Sequence, residues 1–163
     1  GDPRRAEVAR KDPAVGPGGV AALILVLGVE IAALASLVES SGALIAGVAA
    51  VAAGAVSRTM PVVLARLLRV RATGEGFGSW FVLHVASADL AIAVTSAAVL
   101  VAGLAVLVGS SAVFIGAIGG ALAGLAGALA VTRARGRLDG DGMGSAVELT
   151  MAATLFGIAL VAG

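Results

Sequence analysis

Several ionisable side chains lie within or beside long apolar stretches of this 163-residue chain. A charged side chain at the centre of a bilayer is unfavourable by at least about 2.5–3.5 kcal/mol, so each is a candidate for function. Carboxylate oxygens are ligands that Mg²⁺ prefers, and the planar guanidinium of arginine binds phosphate oxygens in pairs. One arginine with several carboxylates at one depth therefore suits a phosphorylated substrate and a divalent metal. The ionisable residues are Glu30, Arg58, Asp89, Asp141 and Glu148, and all of them except Glu30 are expected towards one face of the membrane.

Each of these residues also has a structural interpretation. Arg58 and Glu148 would form an interhelical salt bridge, and Asp89, placed about two turns into its apolar stretch, would pair in the same way. Glu30 lies deep in the first apolar stretch without a local partner, and would be a neutral or hydrogen-bonded packing residue. His84, the only histidine, is interpreted as an interfacial side chain rather than a ligand.

The composition excludes most classes of soluble protein. Hydrophobic residues make up 60% of the chain and charged residues 13%, and the mean hydropathy is +1.09. The absence of cysteine excludes disulfide frameworks, thiol catalysis and cysteine-ligated metals. A net charge of +1 and an aromatic content of 3% give no case for nucleic-acid binding. A polytopic membrane protein remains.

The apolar runs predict five transmembrane helices, and hence an all-α integral membrane bundle. A bilayer core of about 30 Å needs about 20 apolar residues per helix. The uncharged run from Leu90 to Thr132 is therefore long enough for two helices, which we separate at Gly109. The predicted spans are Gly18–Val38, Gly42–Leu64, Phe81–Val108, Ala112–Val131 and Ser145–Val161.

Basic residues occur in every second connection between these spans. Basic loops remain on the cytoplasmic side of a membrane, so the pattern predicts a multi-pass protein of the cell (inner or plasma) membrane with its basic loops in the cytoplasm. The three groups are Arg4, Arg5, Arg10 and Lys11; Arg66, Arg69 and Arg71; and Arg133, Arg135 and Arg137.

Small residues recur at four-residue spacing in two of the predicted spans. Because lipid is as apolar as leucine, helices in a membrane associate through close contact between such faces. We therefore interpret these residues as scaffold, and whether copies of the chain also form a homo-oligomer is left open. The faces are Gly116, Gly120 and Gly124, the neighbouring Gly119, Ala123 and Gly127, and, in the second span, Ala46, Ala50 and Gly54.

Four segments, in this order, resemble motifs of the cobalamin synthase family, the adenosylcobinamide-GDP ribazoletransferases. Residues 11–19 (KDPAVGPGG) resemble the segment K/R-D-S/P-R-x-G-x-x-G, and Ser57-Arg58 matches an S-R pair in the next membrane helix. Residues 74–78 (GEGFG) resemble a short glycine loop, and residues 140–148 (GDGMGSAVE) resemble G-D-x-x-G-A-x-x-E. The resemblance spans the chain.

Two departures from the family pattern accompany this resemblance. Ala14 stands where family members usually have a basic residue. The acidic motif H-x-D-G-L-x-D-x-x-D-G is not in the sequence, and would lie immediately upstream of Gly1. We therefore expect residues 1–163 to be one transmembrane domain that corresponds to roughly the C-terminal two-thirds of a family member.

The resemblance implies a Mg²⁺-dependent membrane transferase of vitamin B12 synthesis. Such enzymes join α-ribazole, or its 5′-phosphate, to adenosylcobinamide-GDP and release GMP. Asp12 has an alternative role as a turn residue before Pro13. The implied site residues are Asp12, Asp141 and Glu148 for the metal or the phosphate pocket, Arg58 as a diphosphate clamp, Asp141 in catalysis, and Gly16 and Gly19 for cofactor binding.

Two other functions are compatible with the sequence. A small transporter or channel module would use Glu30 as a mid-membrane acid and the glycine faces as packing surfaces. However, the sequence has no inverted repeat and no pair of broken spans of the kind that transporters use. The third interpretation is a non-catalytic membrane scaffold, which gains weight if the acidic motif is absent from the protein.

Overall fold

Helices account for almost all of the chain that the structure describes. The computed structural model describes residues 16–69 and 77–162. These residues contain no strand, and five of their helices are long and apolar enough to cross a membrane, which confirms the predicted all-α membrane bundle. The helices are α1 (Pro17–Ser41), α2 (Ala43–Leu67), α3 (Phe77–His84), α4 (Ser87–Val108), α5 (Ala112–Arg135) and α6 (Gly140–Ala162).

The order of the helices gives the bundle two chemically different ends. The basic end is where α2 and α5 finish and where α4 and α6 begin, and it carries Arg66 and Arg133. At the opposite end, tight glycine connections join α1 to α2 and α4 to α5, and Gly109 ends α4 with a positive φ of 62°. The Ser41 hydroxyl donates a hydrogen bond of 3.2 Å to the Ala162 carbonyl, which ties α1 to α6 at that end.

The five long helices differ in how far they are buried. Within their most apolar windows, α2, α5 and α6 are 39–44% buried, whereas α1 and α4 are 11% buried. The outer faces of α1 and α4 are aliphatic, as at Leu25, Ile31, Ile92 and Val106. Such faces are stable in lipid, where no water has to be displaced from them, so α1 and α4 form the periphery around α2, α5 and α6.

The most extensive contact in the described structure joins α5 to α6. A Cβ atom on Gly120 would collide with the Thr154 hydroxyl and lie 2.8 Å from the Thr150 carbonyl oxygen. The same collisions would occur at Gly116, against Ile158, and at Gly124, against Thr150. The predicted glycine face is therefore confirmed as the surface on which α6 lies.

The second predicted face, on α2, is shifted in the structure. Ala46, Ala49 and Ala53 are buried in a cluster with α1 and α6, and a Cβ atom on Gly54 would meet nothing within 4 Å. Sequence spacing identified the small residues of α2, but it did not determine which of them meet a neighbour. The reason is that α2 contacts α1, α4, α5 and α6, so its alanines are buried on more than one side.

The third predicted span begins too early. The helix that is long enough to cross the membrane, α4, starts at Ser87 rather than at Phe81, because residues 85 and 86 separate α3 from α4. The Asp89 carboxylate accepts a hydrogen bond of 2.8 Å from the Ala86 N–H, as acidic residues do in a first helical turn. Asp89 therefore lies exposed at the start of α4, not two turns into the membrane.

The contact of α5 with α6 generates a stability prediction with a control on the same helix. We expect Gly120→Ala to destabilise the bundle by about 1–3 kcal/mol, because its methyl group would push the two backbones apart. Gly119→Ala is the matched control, since a Cβ there would meet nothing within 4 Å. Thermal unfolding of both variants in detergent is the measurement. Equal midpoints for the two variants would contradict this description of the contact.

Candidate functional site

The start of α6 is determined by one aspartate. Asp139 Oδ1 accepts a hydrogen bond of 2.9 Å from the Gly142 N–H, and the Asp139 carbonyl accepts one of 3.1 Å from the Met143 N–H. This side-chain cap starts the helix at Gly140 despite its glycine-rich sequence. The predicted span Ser145–Val161 leaves Asp141 in the preceding loop, which is wrong, because Asp141 lies in the first turn of α6.

Arg135, the last residue of α5, and Arg137, in the connection that follows, neutralise the aspartates at the start of α6. Arg135 Nη1 lies 3.4 Å from Asp139 Oδ1 and 3.7 Å from Asp141 Oδ2, and Arg137 Nε lies 3.6 Å from Asp139 Oδ2. The Asp141 side chain is 68% exposed, whereas that of Asp139 is 18% exposed. Asp139 is thus held as a structural cap, and Asp141 presents a carboxylate to solvent.

The short helix α3 covers the start of α6. A Cβ atom on Gly78 would lie 3.0 Å from the Gly140 backbone nitrogen, so a side chain there would force α3 away from α6. Arg69 donates to the Leu83 carbonyl at 2.9 Å, and Arg66 donates to the Ser87 hydroxyl at 2.8 Å. The described part of the glycine loop, Gly78, is therefore adjacent to the motif that carries Asp141. Residues 74–76 lie outside the described residues.

The N-terminal motif is described only from Gly16 onwards. Asp12, a predicted metal ligand, lies outside the described residues. Gly16 precedes the first turn of α1 and accepts backbone hydrogen bonds from Gly19 and Val20 through its carbonyl. Gly16 and Gly19 are exposed at the end of α1 that corresponds to the basic end of the bundle. Their predicted role in binding stays a prediction.

A second polar group lies deeper in the bundle, where α1, α2 and α6 meet. It consists of Glu30, Arg58 and Glu148, which we call the inner cluster. Glu148 is the ninth residue of α6, in its third turn rather than in the first turn as predicted, because the helix begins at Gly140. At 1.5 Å per residue, Glu148 and Arg58 lie about 12–14 Å from the ends of their helices at the basic end.

The predicted salt bridge between Arg58 and Glu148 is not present among the described residues. Both side chains are exposed, and the charges of both interact with Glu30. Arg58 also borders a cleft of about 270 Å³ between α2 and α4, opposite Ser96. Three residues further along α2, Pro61 lacks the N–H that would bond the Ser57 carbonyl in a regular helix. No described residue forms a hydrogen bond or a salt bridge with the Arg58 side chain.

The described residues fit a Mg²⁺ ion that a phosphate ligand helps to hold, rather than a closed protein site. They contain no group of three carboxylate or histidine side chains that would hold a metal. Asp141 and Glu148 lie about 10 Å apart along α6, too far to ligate one ion directly. Mg²⁺ is often bound by one or two carboxylates together with substrate phosphates, and the exposed Asp141 provides one such carboxylate.

Comparison with known proteins decides the family. Residues 1–159 match the sequence profile described as cobalamin-5-phosphate synthase. The chain belongs to the cobalamin-5-phosphate synthase family. The match extends over nearly the whole chain, so it includes both polar groups described above. Searches of the curated proteins and of the solved structures give no significant match.

Membership of the cobalamin-5-phosphate synthase family confirms the resemblance seen in the sequence motifs, and it supports an enzyme of cobalamin synthesis embedded in a membrane. Two residues of these polar groups were assigned incompletely from the sequence. Asp139 was not singled out, although an aspartate immediately before a glycine-rich helix start is a typical cap. Glu30 was interpreted as lacking a local partner, and the other members of its cluster come from helices distant in sequence.

The cap generates a prediction that separates the two aspartates at the start of α6. We expect Asp139→Ala to lower the free energy of unfolding by about 1 kcal/mol, because it removes the acceptor of the Gly142 N–H. Asp141→Ala should leave it within about 0.5 kcal/mol, since Asp141 is exposed. Chemical denaturation of both variants in mixed micelles is the measurement. A larger loss for Asp141→Ala would show that Asp141 is the structural residue.

Proposed function

We propose that this chain carries the membrane-embedded reaction site of a transferase that joins α-ribazole, or its 5′-phosphate, to adenosylcobinamide-GDP and releases GMP. Its family supports a step of cobalamin synthesis. The observation that supports the finer proposal is the arrangement of the polar side chains. The guanidinium of Arg58 and the carboxylates of Asp141 and Glu148 lie in the basic half of a bundle whose outer faces are largely aliphatic.

The proposed reaction is a displacement at phosphorus. A hydroxyl oxygen of the ribazole forms a bond to the phosphorus that stays attached to cobinamide, and the bridging P–O bond to the guanosine phosphate breaks. The hydroxyl proton is lost to solvent or to a neighbouring base, and GMP leaves with the electron pair. Catalysis of such a transfer depends on orientation of the two reactants and on stabilisation of charge at the phosphoryl oxygens.

The side chains of the site meet these two requirements. We propose that Arg58 binds the diphosphate through its planar guanidinium, which matches paired phosphate oxygens. We propose that Asp12 and Asp141 bind the Mg²⁺ that accompanies the diphosphate. When bound, Mg²⁺ would neutralise negative charge on the phosphate oxygens. Arg66, Arg69 and the exposed Arg133 add positive charge at the same end, which attracts anionic substrates.

The setting of this site suits a substrate that meets the enzyme at the membrane surface. We expect the basic end to face the cytoplasm of the cell (inner or plasma) membrane, as positive residues do in short loops. The exposed aliphatic side chains of α1 and α4 would contact lipid. Family membership favours the transferase over the transporter, because a transporter would not account for a match across residues 1–159.

A direct assay tests this function. The complete protein, reconstituted in liposomes, is supplied with adenosylcobinamide-GDP, α-ribazole or its 5′-phosphate, and Mg²⁺. We expect formation of the joined cobamide and of GMP in equal amounts, both measured by mass spectrometry, and their loss on chelation of Mg²⁺. Solute flux across the liposomes without product would favour a transporter. Absence of both product and flux would favour the scaffold.

The exposed carboxylate of Asp141 yields a prediction for that assay. We expect Asp141→Asn to lower turnover by about 100-fold or more, because it removes charge from the region where the diphosphate is held. The variant should still insert into the membrane, and more Mg²⁺ should partly restore its turnover. Asp89→Asn is the control, since Asp89 is also exposed at the start of a helix at the basic end. Near-normal turnover of Asp141→Asn would remove Asp141 from the mechanism.

A further inference from the structure

Glu30 is a buried carboxylate near the middle of a membrane-spanning helix. Its exposed fraction is 8%, and its Oε1 atom has no hydrogen-bond partner among the described residues. A carboxylate at this depth is unfavourable unless another group compensates it. Neither the metal nor the diphosphate contacts proposed above use Glu30, so its presence needs a separate explanation.

The fold determines which groups Glu30 faces. Glu30, Ala33 and Leu37 form the buried stripe of α1, and Ala33 and Leu37 pack against α2 and α6. Glu30 therefore points into the junction of these three helices. Among the described residues, Glu148 on α6 and Arg58 on α2 interact with it electrostatically, and of these two only Arg58 is attractive.

The direction of the side chains brings Glu30 and Arg58 together. Counted at 1.5 Å per residue from the opposite end of the bundle, Glu30 lies at about 16 Å, and Arg58 and Glu148 lie at about 21–23 Å. Helical side chains lean towards the N-terminus of their own helix. Glu30 on α1 therefore leans towards the basic end, whereas Arg58 on the antiparallel α2 leans towards Glu30.

Arg58 lies between two different environments on α2. On the α4 side it borders the cleft that Ser96 also lines, and no described carboxylate lines that cleft. On the α1 and α6 side its charge interacts with the carboxylate of Glu30, which also interacts with Glu148. Attraction between opposite charges is stronger away from water. A buried carboxylate can therefore determine which position a long arginine side chain adopts.

We propose that Glu30 is a positioning residue for Arg58. The Glu30 carboxylate holds the Arg58 guanidinium on the α1 and α6 side of α2, beside Glu148. In that position the guanidinium binds the phosphate groups of the substrate. This inference rests on the proposed function. It assigns Glu30 no contact with substrate. The proposal also differs from the interpretation of Glu30 as a neutral packing residue. If Glu30 only packed, the position of the Arg58 side chain would not depend on it.

Steady-state kinetics of the complete protein test the proposal. We expect Glu30→Gln to raise the KM for adenosylcobinamide-GDP about tenfold and to leave the KM for α-ribazole unchanged, since only the diphosphate depends on Arg58. Glu30→Asp, which keeps the charge, should recover part of the loss. Glu39→Gln is the matched control, because Glu39 is an exposed glutamate further along the same helix. A Glu30→Gln enzyme with wild-type constants would overturn the proposal.

A double-mutant cycle shows whether Glu30 acts through Arg58. If it does, Glu30→Gln combined with Arg58→Lys should be no worse than Arg58→Lys alone. Additive losses would mean that Glu30 acts independently, and would overturn the proposal. A wild-type protein that makes no product would instead overturn the proposed function. The two failures are therefore distinguishable.

Cross-linking tests the geometry without any activity. The 163 residues contain no cysteine, so introduced pairs have no background from this part of the protein. We expect Glu30→Cys with Arg58→Cys to be joined by a short bifunctional thiol reagent in membranes. Glu30→Cys with Ser96→Cys is the control, because Ser96 lies on α4, across the cleft from Arg58. Cross-linking of the control pair alone would place residue 58 away from Glu30 and overturn the proposal.

Discussion

The close approach of α5 and α6 is the constraint on which the remaining architecture depends. In a membrane, apolar side chains gain little by leaving lipid, so helices must be held by close backbone contact and polar bonds. Gly116, Gly120 and Gly124 provide that contact by exposing the α5 backbone to α6. Thr150 and Thr154 face these glycines, and their hydroxyls donate to carbonyls of their own helix. The contact is therefore close without leaving either hydroxyl unsatisfied.

Because α6 is fixed by α5, it determines where both polar groups lie. Its first turn carries Asp141 at the surface, and its third turn carries Glu148 at the level of Arg58. The same helix packs against α1 and α2 through Leu155 and Ile158, which brings Glu30 to the inner cluster. A single membrane helix thus sets the separation, about 10 Å, between the surface carboxylate and the inner one.

The sequence predicted the number of long helices and the glycine face of α5, since both follow from patterns within one segment. It did not predict the break before Ser87 or the start of α6 at Gly140, because a capping hydrogen bond at Asp89 or Asp139 decides each boundary. The neighbours of Glu30 could not be predicted from the sequence either, because hydrophobic periodicity shows which face of α1 is buried but not which helices cover it. The motifs indicated the residues of the site, and the fold separated them into two groups.

The charges of the surface aspartates and those of the inner cluster are balanced in different ways, and this difference bears on the roles of the two groups. At the surface, Asp139 and Asp141 are paired with arginines only a few residues away in sequence, so their charges are balanced locally and partly by solvent. In the inner cluster, two glutamates face one arginine, and the three residues come from three helices. An arrangement of this kind forms only when α1, α2 and α6 have assembled, and it brings a buried carboxylate near the exposed Arg58. Stability alone would favour an apolar residue at position 30, since replacing buried charges by well-packed apolar groups is often stabilising. The buried carboxylate of Glu30 is therefore better explained by the proposed positioning of Arg58 than by a contribution to the stability of the fold.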